Sequence, residues 1–229
     1  MKERPILFKG EMVRAILNGT KTQTRRIVKD QPPEGHHIDT CHYNDTGWAH
    51  WRTGVGVDSG TCKCNNVRAP FGHAGDRLWV RETFALEATD KLYPWHLDGR
   101  SHQQGDDREE FSITVPHYRA TDDDYGLTTE EQFDNGDTRT RWKPSLFMPR
   151  WASRITLEVV IVRVERLNAI SEADAVAEGI PAFPSSPSNI PAMQYQSLWE
   201  SINGPGSWEK NPWVWVIEFR VLPTNTTEG

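Results

Sequence analysis

A mixed α+β domain is the fold class this sequence predicts, and three observations predict it. The stretch RITLEVVIVRVERL (154–167) is too rich in Val and Ile for a surface helix and reads as a long strand. A second strand, PWVWVIEFRVL (212–222), alternates Trp213, Trp215, Ile217 and Phe219 on one face. Against these stand short helical patterns: Met12, Val13, Ile16 and Leu17, and later Tyr195, Leu198, Trp199 and Ile202 at i, i+3, i+4 and i+7.

In chain order the first helix follows Gly10, and Gly19 stands where a C-cap glycine belongs. In GTKTQTRRIV (19–28), alternation from Thr22 to Val28 puts Thr22, Thr24, Arg26 and Val28 on one strand face and Arg25 on the other. Residues from about 30 to 75, rich in Gly, Pro, His and Asn without periodicity, read as an irregular insertion. GDRLWVRETF (75–84) reads as turn and strand, with Leu78, Val80 and Phe84 toward the core around Glu82. A second polar insertion runs from about 86 to 143, with one strand expected near Phe111–Tyr118. The 154–167 strand is apolar on both faces near its centre and is expected to be a central barrel strand. SEADAVAEGIP (171–181) then supplies Ser171 as N-cap, Asp174 three residues on, Gly179 as C′ and Pro181 as the stop, which makes a two-turn helix. A Pro/Ser loop, the Tyr195–Ile202 helix ending before Gly204 and the final strand complete a single domain over 1–229.

The 229 residues suffice to close one substantial core, and ten Trp suggest a well-formed core, aromatic binding surfaces, or both. No segment approaches the roughly 20 apolar residues of a membrane span, so no membrane partner is expected. Three Cys form no disulfide framework, which fits a reducing, cytoplasmic location. A net charge of −6 argues against nucleic acid when spread evenly, but the charge is not spread evenly. Eight Lys or Arg stand against Glu3 and Glu11 within Met1–Lys29, and five against no acid within Thr138–Leu157. The acids gather elsewhere, notably in Thr121–Asp137, so the pattern is a basic site on an acidic body.

Gly19, Lys21, Thr24 and Arg26 fit the pattern G-x-K-x-x-T-x-R. Around it lie a hydrophobic helix, the GDRLWVRE strand, the AEGI helix end and a closing VIEF strand, in that order. With these features the chain resembles the ASCH family, and in layout the enlarged ASCH proteins encoded by tailed bacteriophages and prophages. The resemblance implies a PUA-like β-barrel with flanking helices; the two insertions lie outside it. It also implies binding of RNA or a modified nucleoside, with no cofactor. Some small ASCH proteins are amidohydrolases that remove the acetyl group of N4-acetylcytidine, and others have been assigned ribonuclease activity. Matching the motifs residue by residue implies a catalytic triad of Lys21, Thr24 and Glu178.

Glu178 closes a helix, where the negative end of the dipole disfavours a carboxylate and favours a proton acceptor. Lys21 could act as the base only as a neutral amine, and a nearby Glu178 would stabilise the ammonium. The expected division of labour therefore has Glu178 taking a proton from Thr24 or water and Lys21 stabilising the oxyanion. Arg26 reads as a phosphate or base contact, and Arg25 as either a contact or a structural residue. TRTRWKPSLFMPRWASR (138–154) interleaves cations with aromatics, the composition of a single-strand nucleic-acid surface or of a loop plugging the barrel end. Its candidate contacts are Arg141, Trp142, Arg150 and Trp151, joined by Trp79 and Glu82 of the GDRLWVRE strand.

Cys41, His42, Cys62 and Cys64 are zinc-ligand types within one insertion, but C-x-C departs from the usual spacing and the resemblance implies no metal; free thiols are the expectation. Three functions remain in view. They are a binding module, a hydrolase in the same cleft, and a phage-encoded protein that engages a host factor through its acidic insertion.

Overall fold

The computed structural model describes residues 1–32, 37–39, 48–52, 65–89, 113–122, 142–181 and 190–223. Its strands are β1 (Glu3–Leu7), β2 (Gln23–Ile27), β3 (His37–Asp39), β4 (Trp48–Arg52), β5 (Asn65–Arg68), β6 (Arg77–Arg81), β7 (Phe84–Thr89), β8 (Ile113–Tyr118), β9 (Thr156–Arg166) and β10 (Trp213–Val221). The helices are α1 (Gly10–Leu17), α2 (Glu172–Ala177) and α3 (Ile190–Asn203). The fold is α+β, as the sequence predicts. A five-stranded sheet in the order β1-β6-β9-β10-β2 dominates it. Only the β1–β6 pair is parallel. Among the described residues this sheet begins at β1 and ends at β2.

Each helix ends as its sequence dictates. Gly19 has φ +74° and Gly179 φ +93°, a region that costs a residue with a Cβ. At the start of α2 the Ser171 hydroxyl accepts the Asp174 N–H at 3.1 Å and the Asp174 carboxylate accepts the Ser171 N–H at 3.2 Å, a complete capping box.

β9 occupies the centre of the sheet, as its composition predicts. Its apolar middle has a different cause from burial of both faces. Leu157 and Val159 are buried, Val160 and Ile161 exposed, and Val162 and Val164 buried again. The alternation changes phase where Glu218 pairs with Ile161 and Phe219 with Val159, leaving Val160 as the extra residue of a β-bulge. The strand buried on both faces is β10. Trp215, Ile217 and Phe219 join a cluster with Phe8, Val13 and Ile16, whereas Val214 and Val216 join Leu167, Ala175, Tyr195 and Trp199. The sheet is thus covered by α1 on one side and by α2 and α3 on the other near β10.

The first insertion is also more ordered than its composition suggests. β3, β4 and β5 form a three-stranded antiparallel sheet within 37–68. Strands this short leave little room for the alternation by which a sequence announces them. In the second, β8 appears where expected and pairs with β7, so 75–84 holds the whole of β6 and the first residue of β7 rather than a single strand. The acidic run beyond Asp122 lies outside the described residues. No helix among the described residues is long and apolar enough to cross a membrane.

Candidate functional site

The motif residues converge where the end of α2 meets the start of β2. Gly19 turns the chain out of α1, and Lys21 then forms an isolated antiparallel bridge with Glu178, the residue that caps α2. The Thr22 N–H donates to the Ala177 carbonyl at 2.9 Å, which fixes the two segments side by side. Gly179 is required there for a second reason. A Cβ on it would lie 3.1 Å from Ala15 Cβ and 3.3 Å from Lys21 Cβ.

Lys21 and Glu178 are buried, with 1% and 4% of their surface exposed. The Lys21 ammonium donates to Glu178 Oε2 and to the Glu178 carbonyl, both at 2.8 Å. Arg25, also buried, places Nη1 3.5 Å from Glu178 Oε1. Its Nη2 reaches Glu165 at 3.2 Å and Asp174 at 3.3 Å. One carboxylate of Glu178 thus faces two cations, which oppose the unfavourable helix dipole. Beyond Arg25 the network runs on through Arg163, which bonds Glu165, Asp174, Gln23 and Glu218. Arg26 leaves on the other strand face, donates to the Leu7 carbonyl at 2.6 Å and lies over the Phe8 ring at 5.3 Å.

The balance of charges at Lys21 reverses the sequence argument. Burial lowers the pKa of its ammonium from the ordinary value of 10.5, with Arg26 and Arg25 acting in the same direction. The charge and hydrogen bond of Glu178 oppose this, as expected, but are outweighed.

Beside the pair is a cavity of about 120 Å³. Thr24, Arg25, Arg26 and Glu178 form its polar wall; Met12, Tyr195, Leu198 and Trp199 form much of the apolar one. Lys21 does not line it and stands behind Glu178. Three buried N–H groups of the lining residues, Arg25 Nε, Arg26 Nε and Trp199 Nε1, have no acceptor among the described residues. Tyr195 is buried with its ring 6.3 Å from that of Trp199, and burial chiefly raises its phenol pKa. The sequence places Tyr195 and Trp199 on a helix but gives no sign that they wall a cavity, because i, i+4 aromatics have the same spacing in any core-facing helix.

The second candidate surface is divided. Trp151 is 61% exposed and Phe147 69%, and Arg150 is exposed beside them. Trp142 is half-buried, and Arg141 lies outside the described residues. Trp79 and Glu82 do not belong to a surface. Trp79 is 8% exposed, with the Arg81 and Arg150 guanidinium groups 4.6 and 6.0 Å from its ring centre. Glu82, 1% exposed, is held by Arg154 at 2.9 and 3.0 Å. Both side chains are interior: Leu78, Trp79 and Val80 are buried in succession, and Arg154 closes over Glu82, contacts that sequence spacing does not reveal. Arg154 lies over the Tyr118 ring at 3.9 Å.

Cys41, His42, Cys62 and Cys64 lie outside the described residues, and among those described no group of three or more His, Cys, Asp or Glu is arranged to hold a metal.

These features define an α+β protein with a buried Lys–Glu–Arg cluster bordering a small aromatic-walled cavity. No family model, curated protein or solved structure matches the chain.

Proposed function

We propose that the chain is an ASCH-type, PUA-like module that binds RNA or a modified nucleoside in the cavity beside Glu178. The observation that carries this reading is the pairing of acceptor-less donors with an aromatic wall. Buried N–H groups on Arg25, Arg26 and Trp199 call for carbonyl or phosphate oxygens, because an unmet buried donor costs about 1–3 kcal/mol. Tyr195 and Trp199 supply the apolar surface that a base ring needs. The cavity is smaller than the roughly 300–1,000 Å³ of pockets that enclose drug-sized ligands, and it suits one ring-sized group.

Calorimetric titration with cytidine, N4-acetylcytidine and a short single-stranded RNA tests the reading. Arg26→Ala should weaken binding by about 1–3 kcal/mol, in the range of charge-assisted contacts. Unchanged affinity in a folded variant removes Arg26 from the site, and no binding of any of these probes by the wild type removes the reading.

Hydrolysis in the same cleft is a second reading, favoured by one observation: Thr24 and Glu178 line the same cavity. Water, or the Thr24 hydroxyl followed by water, would add to the acetyl carbonyl while Glu178 accepts the proton; Glu178 would then return it to the leaving N4 as the C–N bond breaks, releasing cytidine and acetate. Glu178→Gln should abolish turnover of N4-acetylcytidine while retaining binding. Wild-type protein that binds this nucleoside without turnover leaves the binding module alone.

A further inference from the structure

A separate cationic pocket lies at the opposite edge of the five-stranded sheet, and we propose that it binds the phosphate group of a nucleotide. The pocket, about 360 Å³, is lined by Arg77, Arg150, Arg154, Ser153, Thr156 and Glu3, closed by Leu222 and Pro223 after β10. It does not rest on the reading of the Glu178 cavity, which lies by β2, four positions away across the sheet order.

Charge and free donors single this pocket out. In the strand register Arg77 stands beside Glu3 on β1 and Glu158 on β9, either of which would be an ordinary partner. Neither is available to it. Glu3 is taken by Arg150 at 3.1 Å, and Glu158 by Arg220 at 2.8 Å. Arg154 is likewise neutralised by Glu82 behind the pocket. Among the described residues, Arg77 is the one arginine of the pocket without an ion pair or side-chain hydrogen bond, so these residues leave one uncompensated positive charge on a planar fork of five donors.

Further donors converge from two other elements. Arg150 uses Nε on Glu3 and Nη2 on Thr156, which leaves Nη1 unassigned. Thr156 Oγ1 accepts that bond and retains its own proton to donate. Donors from β6, β9 and the turn at 150–152 thus approach from three directions, which matches the tetrahedral oxygens of a phosphate better than the flat pair of a carboxylate. The exposed ring of Trp151, next in the chain to Arg150, offers a platform for an attached base.

A phosphate of this kind comes from a free mononucleotide or from the backbone of a single strand, and titration of the full chain separates them. The probes are inorganic phosphate, cytidine monophosphate and a ten-residue single-stranded oligoribonucleotide, each measured with wild type, Arg77→Gln and Arg77→Lys. Because the Arg77 side chain makes no hydrogen bond or ion pair among the described residues, Arg77→Gln should keep the wild-type melting temperature. Roughly tenfold weaker binding of the mononucleotide or of phosphate in Arg77→Gln, with a smaller loss in Arg77→Lys, supports the site with a free nucleotide as its source. The same loss for the oligonucleotide alone, with a salt slope shallower by about 0.7, supports it with a strand backbone as the source. Equal affinity of wild type and Arg77→Gln for all three probes, or no binding of any, overturns it.

Discussion

Replacing Glu178 by Gln should expose how strongly the buried cluster depends on one carboxylate. The change removes the charge that faces Lys21 Nζ at 2.8 Å and Arg25 Nη1 at 3.5 Å, while side-chain volume is kept. Breaking one member of a buried ion pair typically costs about 3–5 kcal/mol. The cost here should fall at the lower end, about 3 kcal/mol, for two reasons. Lys21 keeps its bond to the Glu178 carbonyl, and Arg25 keeps Glu165 and Asp174. Urea unfolding at neutral pH measures it. In a double-mutant cycle with Lys21→Met, the pair should be coupled by about 1–3 kcal/mol, because once the lysine charge is gone the carboxylate is no longer needed to balance it.

The pH dependence supplies a second check on the same variant. Folded Lys21 holds its proton less tightly than the unfolded chain at 10.5, so between those values the unfolded state binds more protons and stability rises with pH. Removing the Glu178 charge takes away what opposes the lowering, widens that window and makes the deficit of Glu178→Gln shrink as the solution becomes alkaline. Additive effects of the two substitutions, within about 0.5 kcal/mol, together with a deficit that does not change with pH, would refute the proposed coupling.

Gly179→Ala should destabilise the fold by about 3 kcal/mol in the same unfolding assay, combining the strain of a Cβ at φ +93° with overpacking against Ala15 and Lys21. A loss under about 0.5 kcal/mol would show that the turn relaxes at little cost. Asp76→Asn should cost about 2 kcal/mol at neutral pH, since the fully buried carboxylate accepts the Lys2 N–H at 2.7 Å and Arg4 Nη1 at 2.8 Å. Burial by itself would raise the Asp76 pKa, but the Arg4 and Lys2 hydrogen bonds with the His73 and Arg4 charges hold it below 3.8. A group lowered on folding stabilises above its unfolded pKa and loses that contribution as pH falls through the folded one. The difference between wild type and Asp76→Asn should therefore narrow below about pH 3.8, as followed by circular dichroism during acid titration.

The sequence by itself determined the elements whose cause is local. The α+β class, the helix ends at Gly19 and Gly179, the Ser171–Asp174 capping box and the long strand at 154–167 each follow from residues within a few positions of one another. Local rules also put Thr24 and Arg26 on one strand face and Glu178 at a helix end. Only the tertiary structure decided what these residues meet. Lys21 and Glu178 are 157 positions apart, and their contact depends on two glycine turns packing against each other. Burial in that contact, more than the neighbouring carboxylate, sets the direction of the Lys21 shift. The bulge at Val160 shows the same limit, for four apolar residues in succession look alike whether both faces are covered or the alternation changes phase against the partner strand. Trp79 and Glu82 are interior because Arg81 and Arg150 pack on the Trp79 ring and Arg154 holds Glu82, and among the described residues Arg77 has no ion pair because Arg150 and Arg220 take its neighbours. Periodicity fixes which way a side chain points relative to its own strand, but burial and charge pairing depend on distant segments that share no sequence window with it.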